Sequence, residues 1–207
     1  MISWFPCRFT GWEDSPLTPQ GEEDAAEASQ LLLDEPDLDI DVCYSSCLER
    51  TMQTAKICLD KFAAAGRTPP ELRCRWRLNE RHYGILQGLN KAEALATLDR
   101  STLNSWRSSF DGRPPAMTSE HPYYSHEPSR LAAQLEAANA AHAATHAAAE
   151  DAAEGEAGGT PEALAASDVP LTESLADTVA RVQPLWEQEL KPALLSGQTI
   201  LLVGHKK

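Results

Sequence analysis

Apolar residues recur at helical spacing in some stretches of the chain and form short unbroken runs in others. Thr18 followed by Pro19 marks a helix start, a hydroxyl cap with proline at the first helical position. The pattern carries on through Leu31–Leu33 and stops near Pro36. Ile40–Tyr44 reads as a short strand. From about Ser46, the residues Leu48, Met52, Ala55, Leu59 and Phe62 repeat at helical spacing, and Gly66 is placed to end that helix. Leu72–Trp76 predicts another strand, and Asn90 with Glu93 has the spacing of a capping box for a short helix. Near the end, Thr172 is expected to cap a helix with Leu175, Val179, Val182 and Trp186 on one face. The apolar run Thr199–Val203 predicts a buried strand. Strands alternating with helices give an α/β fold with a largely parallel sheet, in one domain spanning residues 1–207.

The segment 131–168 breaks this pattern. It is close to half alanine, with no aromatic residue and no lysine or arginine. Alanine favours helix, but few side chains there can anchor one to a core, so the segment reads as an acidic surface insertion interrupted at Gly158-Gly159-Thr160-Pro161. His142 and His146 sit four residues apart within it. Without a third ligand nearby they read as solvated histidines, and no metal is expected.

Charge changes the picture less than its size suggests. The 207 residues carry a formal net charge of −13, which argues against nucleic acid as a partner. Yet 131–168 holds seven acidic side chains and no basic one, and the turn Asp34–Asp41 holds five more. The rest of the chain is nearly balanced, so an anionic substrate is not excluded. No apolar run approaches the roughly eighteen residues a membrane span needs. The five cysteines (Cys7, Cys43, Cys47, Cys58, Cys74) are odd in number and lack C-x-x-C spacing, which suits reduced thiols in a cytoplasmic protein.

Certain stretches are denser in specific polar residues than a structural element requires. Arg8-Phe9-Thr10-Gly11-Trp12 offers a hydroxyl and approachable backbone N–H groups, suited to an anion. Trp76–Lys91 sets Glu80 beside Arg77, Arg81, Tyr83 and Lys91. Arginine forks bind phosphate or carboxylate bidentately, and a glutamate among them can serve as acid and base. On composition alone the first stretch reads more readily as a plain turn, while a salt-bridged loop accounts for the second equally well. Val203-Gly204-His205 puts a histidine at the C-terminal edge of a strand, where α/β folds bind ligands, although a lone histidine is more often structural.

Together these strings resemble the cofactor-dependent phosphoglycerate mutases of the histidine phosphatase superfamily. RFTGW, SSCLERTMQTA, WRLNERHYGILQGLNKAE, PLTESLADTVARVQPLWE and LLVGH carry the resemblance, over roughly Arg8–Gly112 and Val169–His205. It implies a three-layer α/β/α phosphoglycerate-mutase-like fold with a mostly parallel sheet. It also implies interconversion of 2- and 3-phosphoglycerate in glycolysis and gluconeogenesis, through a phosphohistidine and with 2,3-bisphosphoglycerate as phosphoryl donor. On that resemblance Glu80 is the proton donor and acceptor, and His205 stabilises charge on the moving phosphoryl group. Thr10, Gly11, Arg50, Arg81, Tyr83, Lys91, Arg107 and Ser108 contact the substrate. A homo-oligomer, or pairing with a full-length paralogue, is the implied assembly.

The chain departs from the family in ways that matter chemically. The family's Arg-His-Gly, whose histidine is phosphorylated, occurs nowhere in the sequence. Only seven residues precede Arg8, and Lys206-Lys207 follow His205. The chain is therefore expected to lack the first strand and the C-terminal elements, leaving neighbouring strands with unpaired backbone groups. A paired arginine of the family is Arg107-Ser108 here, one anion contact becoming a hydroxyl. Without a nucleophile, phosphoryl transfer cannot run in these residues alone. The resemblance thus predicts a mutase, the chemistry predicts an inactive one, and a non-catalytic anion-binding or oligomer-partner homologue is the alternative.

Overall fold

The computed structural model describes residues 8–124 and 169–205. The alanine-rich segment 131–168, with His142 and His146, lies outside them, as does Cys7.

Three strands form a small open parallel sheet: β1 (Val42–Ser45), β2 (Glu71–Cys74) and β3 (Ile200–Val203). Their order is β2-β1-β3, with Ser45 opposite Cys74 on one side and Val203 on the other. Every β1 residue is buried. Val42 and Tyr44 pack with Leu185 and Leu190 on one face, while Cys43 on the other face lies near Cys58 of a helix. The period of two thus separates two helical layers.

On the Cys43 face lie α1 (Pro19–Leu33) and α2 (Glu49–Ala64), packed against each other. Thr18 caps α1 by accepting the Gly21 N–H at 3.1 Å. Gly66, at φ 76°, ends α2. Its N–H bonds Ala63 O and the Arg67 N–H bonds Phe62 O, both at 3.0 Å, while the Arg67 guanidinium covers the Phe62 ring. That is a Schellman stop sealed by a side-chain contact. The short helices α3 (Lys91–Thr97) and α4 (Arg100–Ser108) enclose a separate cluster of Phe9, Leu86, Ala94 and Leu103. Helix α4 was not foreseen, although Asp99 caps it by accepting the Thr102 N–H.

Helix α5 (Leu175–Leu185) covers the Val42 face. Pro184 lies inside it and cannot donate to the preceding turn; a wide turn at Trp186–Leu190 follows before α6 (Lys191–Leu195).

Several sequence expectations need correction here. The cap of α5 is Ser174, in a reciprocal box with Asp177, rather than Thr172; the Thr172 hydroxyl instead donates to Pro114 O. The inward stripe of α5 is Arg181 and Leu185, with Val179 and Trp186 exposed. Arg181 takes an inward position because Glu173 and backbone carbonyls meet its guanidinium there. Strand β2 stops at Cys74, since Trp76 begins a tight turn. Strand β3 is half-buried at the sheet's edge rather than buried, and Leu202 is 53% exposed.

Candidate active site

The parallel strands point their C-terminal ends at a cleft of about 750 Å³. Its walls come from the loop Arg8–Leu17, the first turns of α2, the loop Glu80–Lys91, the end of α4 and His205 just beyond β3. Long-range bonds seat the first loop. Arg8 and Phe9 run beside Gly88–Asn90, with the Phe9 N–H on Leu89 O and the Gly88 N–H on Phe9 O. Gly88, at φ 78°, stands where a Cβ would collide with the Tyr123 ring. The loop then reaches α2, where the Asp14 carboxylate accepts the Glu49 N–H at 2.6 Å. Leu48, the residue before the helix, has no capping side chain of its own.

Among the described residues, Glu80 is the one carboxylate lining the cleft. Its Oε2 accepts from Arg50 Nη2 at 2.8 Å and from the Thr10 hydroxyl at 3.2 Å. Arg50 also donates to Gly11 O and Glu13 O, so one guanidinium ties the loop to the carboxylate. Gly11, at φ 54°, lies with Gln87 Oε1 where a side chain would start, and that amide oxygen accepts the Trp12 N–H. His205 Nδ1 is 3.9 Å from Glu80 Oε2, and Nε2 is 2.9 Å from Ser46 Oγ. Burial, then Arg50 and Arg181, push the His205 ring down to about 3, so it is neutral at ordinary pH.

Cations close the other walls. Lys91 and Arg107 lie over the Phe9 ring at 5.6 and 5.7 Å, and Arg81 lies over Tyr83 at 4.9 Å. The aromatic faces stabilise these charges without neutralising them. Arg81 is 8% exposed; its Nη2 bonds Arg107 O, while its Nη1 is buried with no acceptor among the described residues. A buried guanidinium N–H without a partner suits an arriving anion. Burial raises the Tyr83 hydroxyl, reinforced by the Glu80 carboxylate.

Behind the cleft, Arg181 holds the backbone that carries Glu80. It pairs with Glu173 at 2.6 and 3.0 Å and donates to the carbonyls of Trp76, Arg77, Asn79 and Glu80. Glu173 also accepts the His82 N–H at 2.8 Å, and the Trp12 indole donates to Glu80 O.

Thr10, Arg50, Glu80, Arg81, Tyr83, Lys91, Arg107, Ser108 and His205 all line the one cleft. Gly11 does not line it and enters through its carbonyl bond to Arg50. Sequence reasoning missed Ser46, Thr51, Arg181 and Glu173. The last two stand eight residues apart in a helix pattern, a spacing that does not announce an ion pair. His82 is buried and turned away from the cleft, with Nδ1 accepting the Gly84 N–H.

The profile of the histidine phosphatase superfamily (branch 1) matches residues 4–149. The chain belongs to that superfamily. Within it, the chain is 39% identical over 197 residues to a 2,3-bisphosphoglycerate-dependent phosphoglycerate mutase of Treponema pallidum. It is 38% identical over 198 residues to the enzyme of that name from Nitratidesulfovibrio vulgaris. These alignments cover 95% and 96% of this chain and 66% of each relative, so the chain spans just under two thirds of their length. Among solved histidine phosphatase structures, a mycobacterial glucosyl-3-phosphoglycerate phosphatase superposes with a TM-score of 0.57 at 21% identity, over 97% of this chain and 68% of that one. A phosphoglycerate mutase from Bacillus anthracis gives 0.53 at 18% identity, over 96% and 66%. At these identities the likeness speaks for the fold.

Proposed function

We propose that the cleft binds 2- or 3-phosphoglycerate and belongs to a phosphoglycerate mutase of glycolysis and gluconeogenesis. The observation that carries this reading is one carboxylate, Glu80, set among Arg8, Arg50, Arg81, Lys91 and Arg107 in a cleft of substrate size. A phosphorylated carboxylic acid brings two anionic groups, and cations on opposite walls match both. Arg50 and Thr10 hold the phosphoryl end near Gly11. Arg81, Tyr83, Lys91, Arg107 and Ser108 hold the remaining anionic oxygens. Glu80 gives and takes the proton of the substrate hydroxyl, and His205 donates to charge that builds on the phosphoryl group. The phosphoryl donor, 2,3-bisphosphoglycerate, suits the same walls because it carries more of the same charge. No metal is needed for this scheme. The cytoplasm is the compartment that supplies such substrates; no helix among the described residues is long and apolar enough to cross a membrane.

A polypeptide of these 207 residues contains no Arg-His-Gly, and among the described residues His205 is the sole imidazole lining the cleft. Such a polypeptide binds the substrate without turning it over. This supports the second reading, an anion-binding homologue that acts with a full-length paralogue or as a homo-oligomer. Calorimetric titration with 3-phosphoglycerate is expected to give saturable heat, and no heat at millimolar ligand overturns the binding assignment. A coupled mutase assay with 2,3-bisphosphoglycerate present is expected to stay at background, and turnover above it overturns the inactivity.

A further inference from the structure

Behind His205 lies a pair of hydroxyls that the scheme above does not use. Ser46 Oγ is 2.9 Å from His205 Nε2 and 2.5 Å from Thr51 Oγ1, and it accepts a third bond from the Leu48 N–H at 3.2 Å. Ser46 and Thr51 are buried. The other ring nitrogen, Nδ1, lies on the cleft side, 3.9 Å from Glu80 Oε2.

A hydroxyl has one proton and two lone pairs. The Leu48 N–H takes one lone pair of Ser46, so the proton and the other lone pair are divided between Thr51 and His205. In one arrangement Ser46 donates to Thr51 and accepts from Nε2–H, which turns a bare Nδ1 lone pair toward the Glu80 carboxylate. In the other, Thr51 donates to Ser46, Ser46 donates to Nε2, and the ring turns Nδ1–H toward Glu80 and the cleft. Two observations select the second. Glu80 is ion-paired with Arg50 at 2.8 Å, and its oxygen repels a lone pair but attracts an N–H. Of the two carbonyls near the Thr51 hydroxyl, Leu48 O at 2.8 Å already receives the Thr51 and Met52 backbone N–H groups at 3.0 and 3.1 Å, and Ser46 O at 3.4 Å receives the Ser45 hydroxyl. Redirecting the Thr51 hydroxyl therefore leaves no buried carbonyl unserved. The remaining option, a doubly protonated ring, is opposed by burial and by Arg50 and Arg181.

We propose that Ser46, backed by Thr51, is a positioning residue that fixes His205 as the Nδ1–H tautomer and keeps one ring donor aimed at the anion site. The ring then offers a hydrogen bond without placing a positive charge in the cleft. The inference rests on reading the cleft as an anion site, but its spectroscopic test does not.

The test is long-range ¹⁵N–¹H correlation on ¹⁵N-histidine-labelled protein of the full 207 residues, with His205→Gln to assign the ring. The wild type is expected to show a protonated Nδ1 and a bare Nε2. Thr51→Val leaves Ser46 with Nε2 as its acceptor, so the same tautomer is expected. Ser46→Ala is expected to shift the ring toward Nε2–H and to weaken binding of inorganic phosphate about tenfold, the effect of one misdirected bond to a charged group. An Nε2–H tautomer in the wild type, or ring shifts unmoved by Ser46→Ala, overturns the proposal. If Ser46→Ala does not fold, the wild-type and Thr51→Val spectra decide. Phosphate that fails to bind the wild type sinks the anion reading and leaves the tautomer assignment standing.

Discussion

Burial governs both His82, within the loop bearing Glu80, and His205, beyond β3. His82 is pushed down to about 3 by burial, then by Arg181 and His121, and His205 to about 3 by burial, then by Arg50 and Arg181. Protonating His82 would also break the bond its Nδ1 accepts from the Gly84 N–H at 3.1 Å. In the unfolded chain both rings return to about 6.5. Between that value and 3 the unfolded state therefore binds protons that the folded state refuses. Stability is fully present above pH 6.5 and declines as pH falls toward 3, by up to about 1.4 kcal/mol per pH unit for each histidine. Urea midpoints at pH 7, 6 and 5 are expected to fall in that order. The His82→Gln variant is expected to show a shallower decline, and a midpoint constant over this range contradicts both assignments.

At the scale of elements, signals carried by neighbouring residues were legible and those carried across the chain were not. Thr18-Pro19 and Gly66 mark helix ends where the structure has them, because cap, helix and turn are contiguous. The start of α2 is different. Leu48 offers no cap, and the carboxylate serving Glu49 N–H belongs to Asp14, 35 positions earlier. The inward face of α5 was misplaced for a related reason: Arg181 is tolerated inside only because Glu173 and four carbonyls meet it. The cleft residues were legible as polar motifs, but only Val203-Gly204-His205 was placed at a strand end, and the gathering of the rest came from the family resemblance alone. The hydroxyls behind His205 were not legible, because Ser46 reaches it across 159 positions. Asp14→Ala is expected to cost about 1 kcal/mol, the ordinary worth of a helix cap. It is also expected to weaken 3-phosphoglycerate binding several-fold, because Thr10 and Gly11 ride the same loop. Asp14→Asn keeps the acceptor oxygen and is expected to recover most of the stability in urea titrations; a variant as damaged as Asp14→Ala would show that charge, not capping, holds the loop.

Across the whole molecule, the cleft lies at the C-terminal edge of the sheet and the acidic turn Asp34–Asp41 at the opposite edge, before β1. The negative charge of that turn is thereby kept away from the anion site. What joins helix α5 to the loop carrying Glu80 is the Arg181–Glu173 pair, whose side chains are 6% and 4% exposed. A buried pair contributes little net stability, but a lone survivor is costly, roughly 3–5 kcal/mol. The two survivors here are not equivalent. After Glu173→Gln, Arg181 keeps four carbonyl acceptors and can still bond the new amide oxygen. After Arg181→Met, Glu173 keeps the His82 N–H, while the carbonyls of Trp76, Arg77 and Asn79 lose a donor inside the protein. Arg181→Met is therefore expected to be the more damaging change, at or above the upper end of that range, and Glu173→Gln to fall below it. Equilibrium unfolding of both variants at pH 7 gives the order directly. Glu173→Gln emerging as the worse of the two would mean that the pair is held together by charge alone, and that the loop carrying Glu80 does not depend on the carbonyl bonds of Arg181.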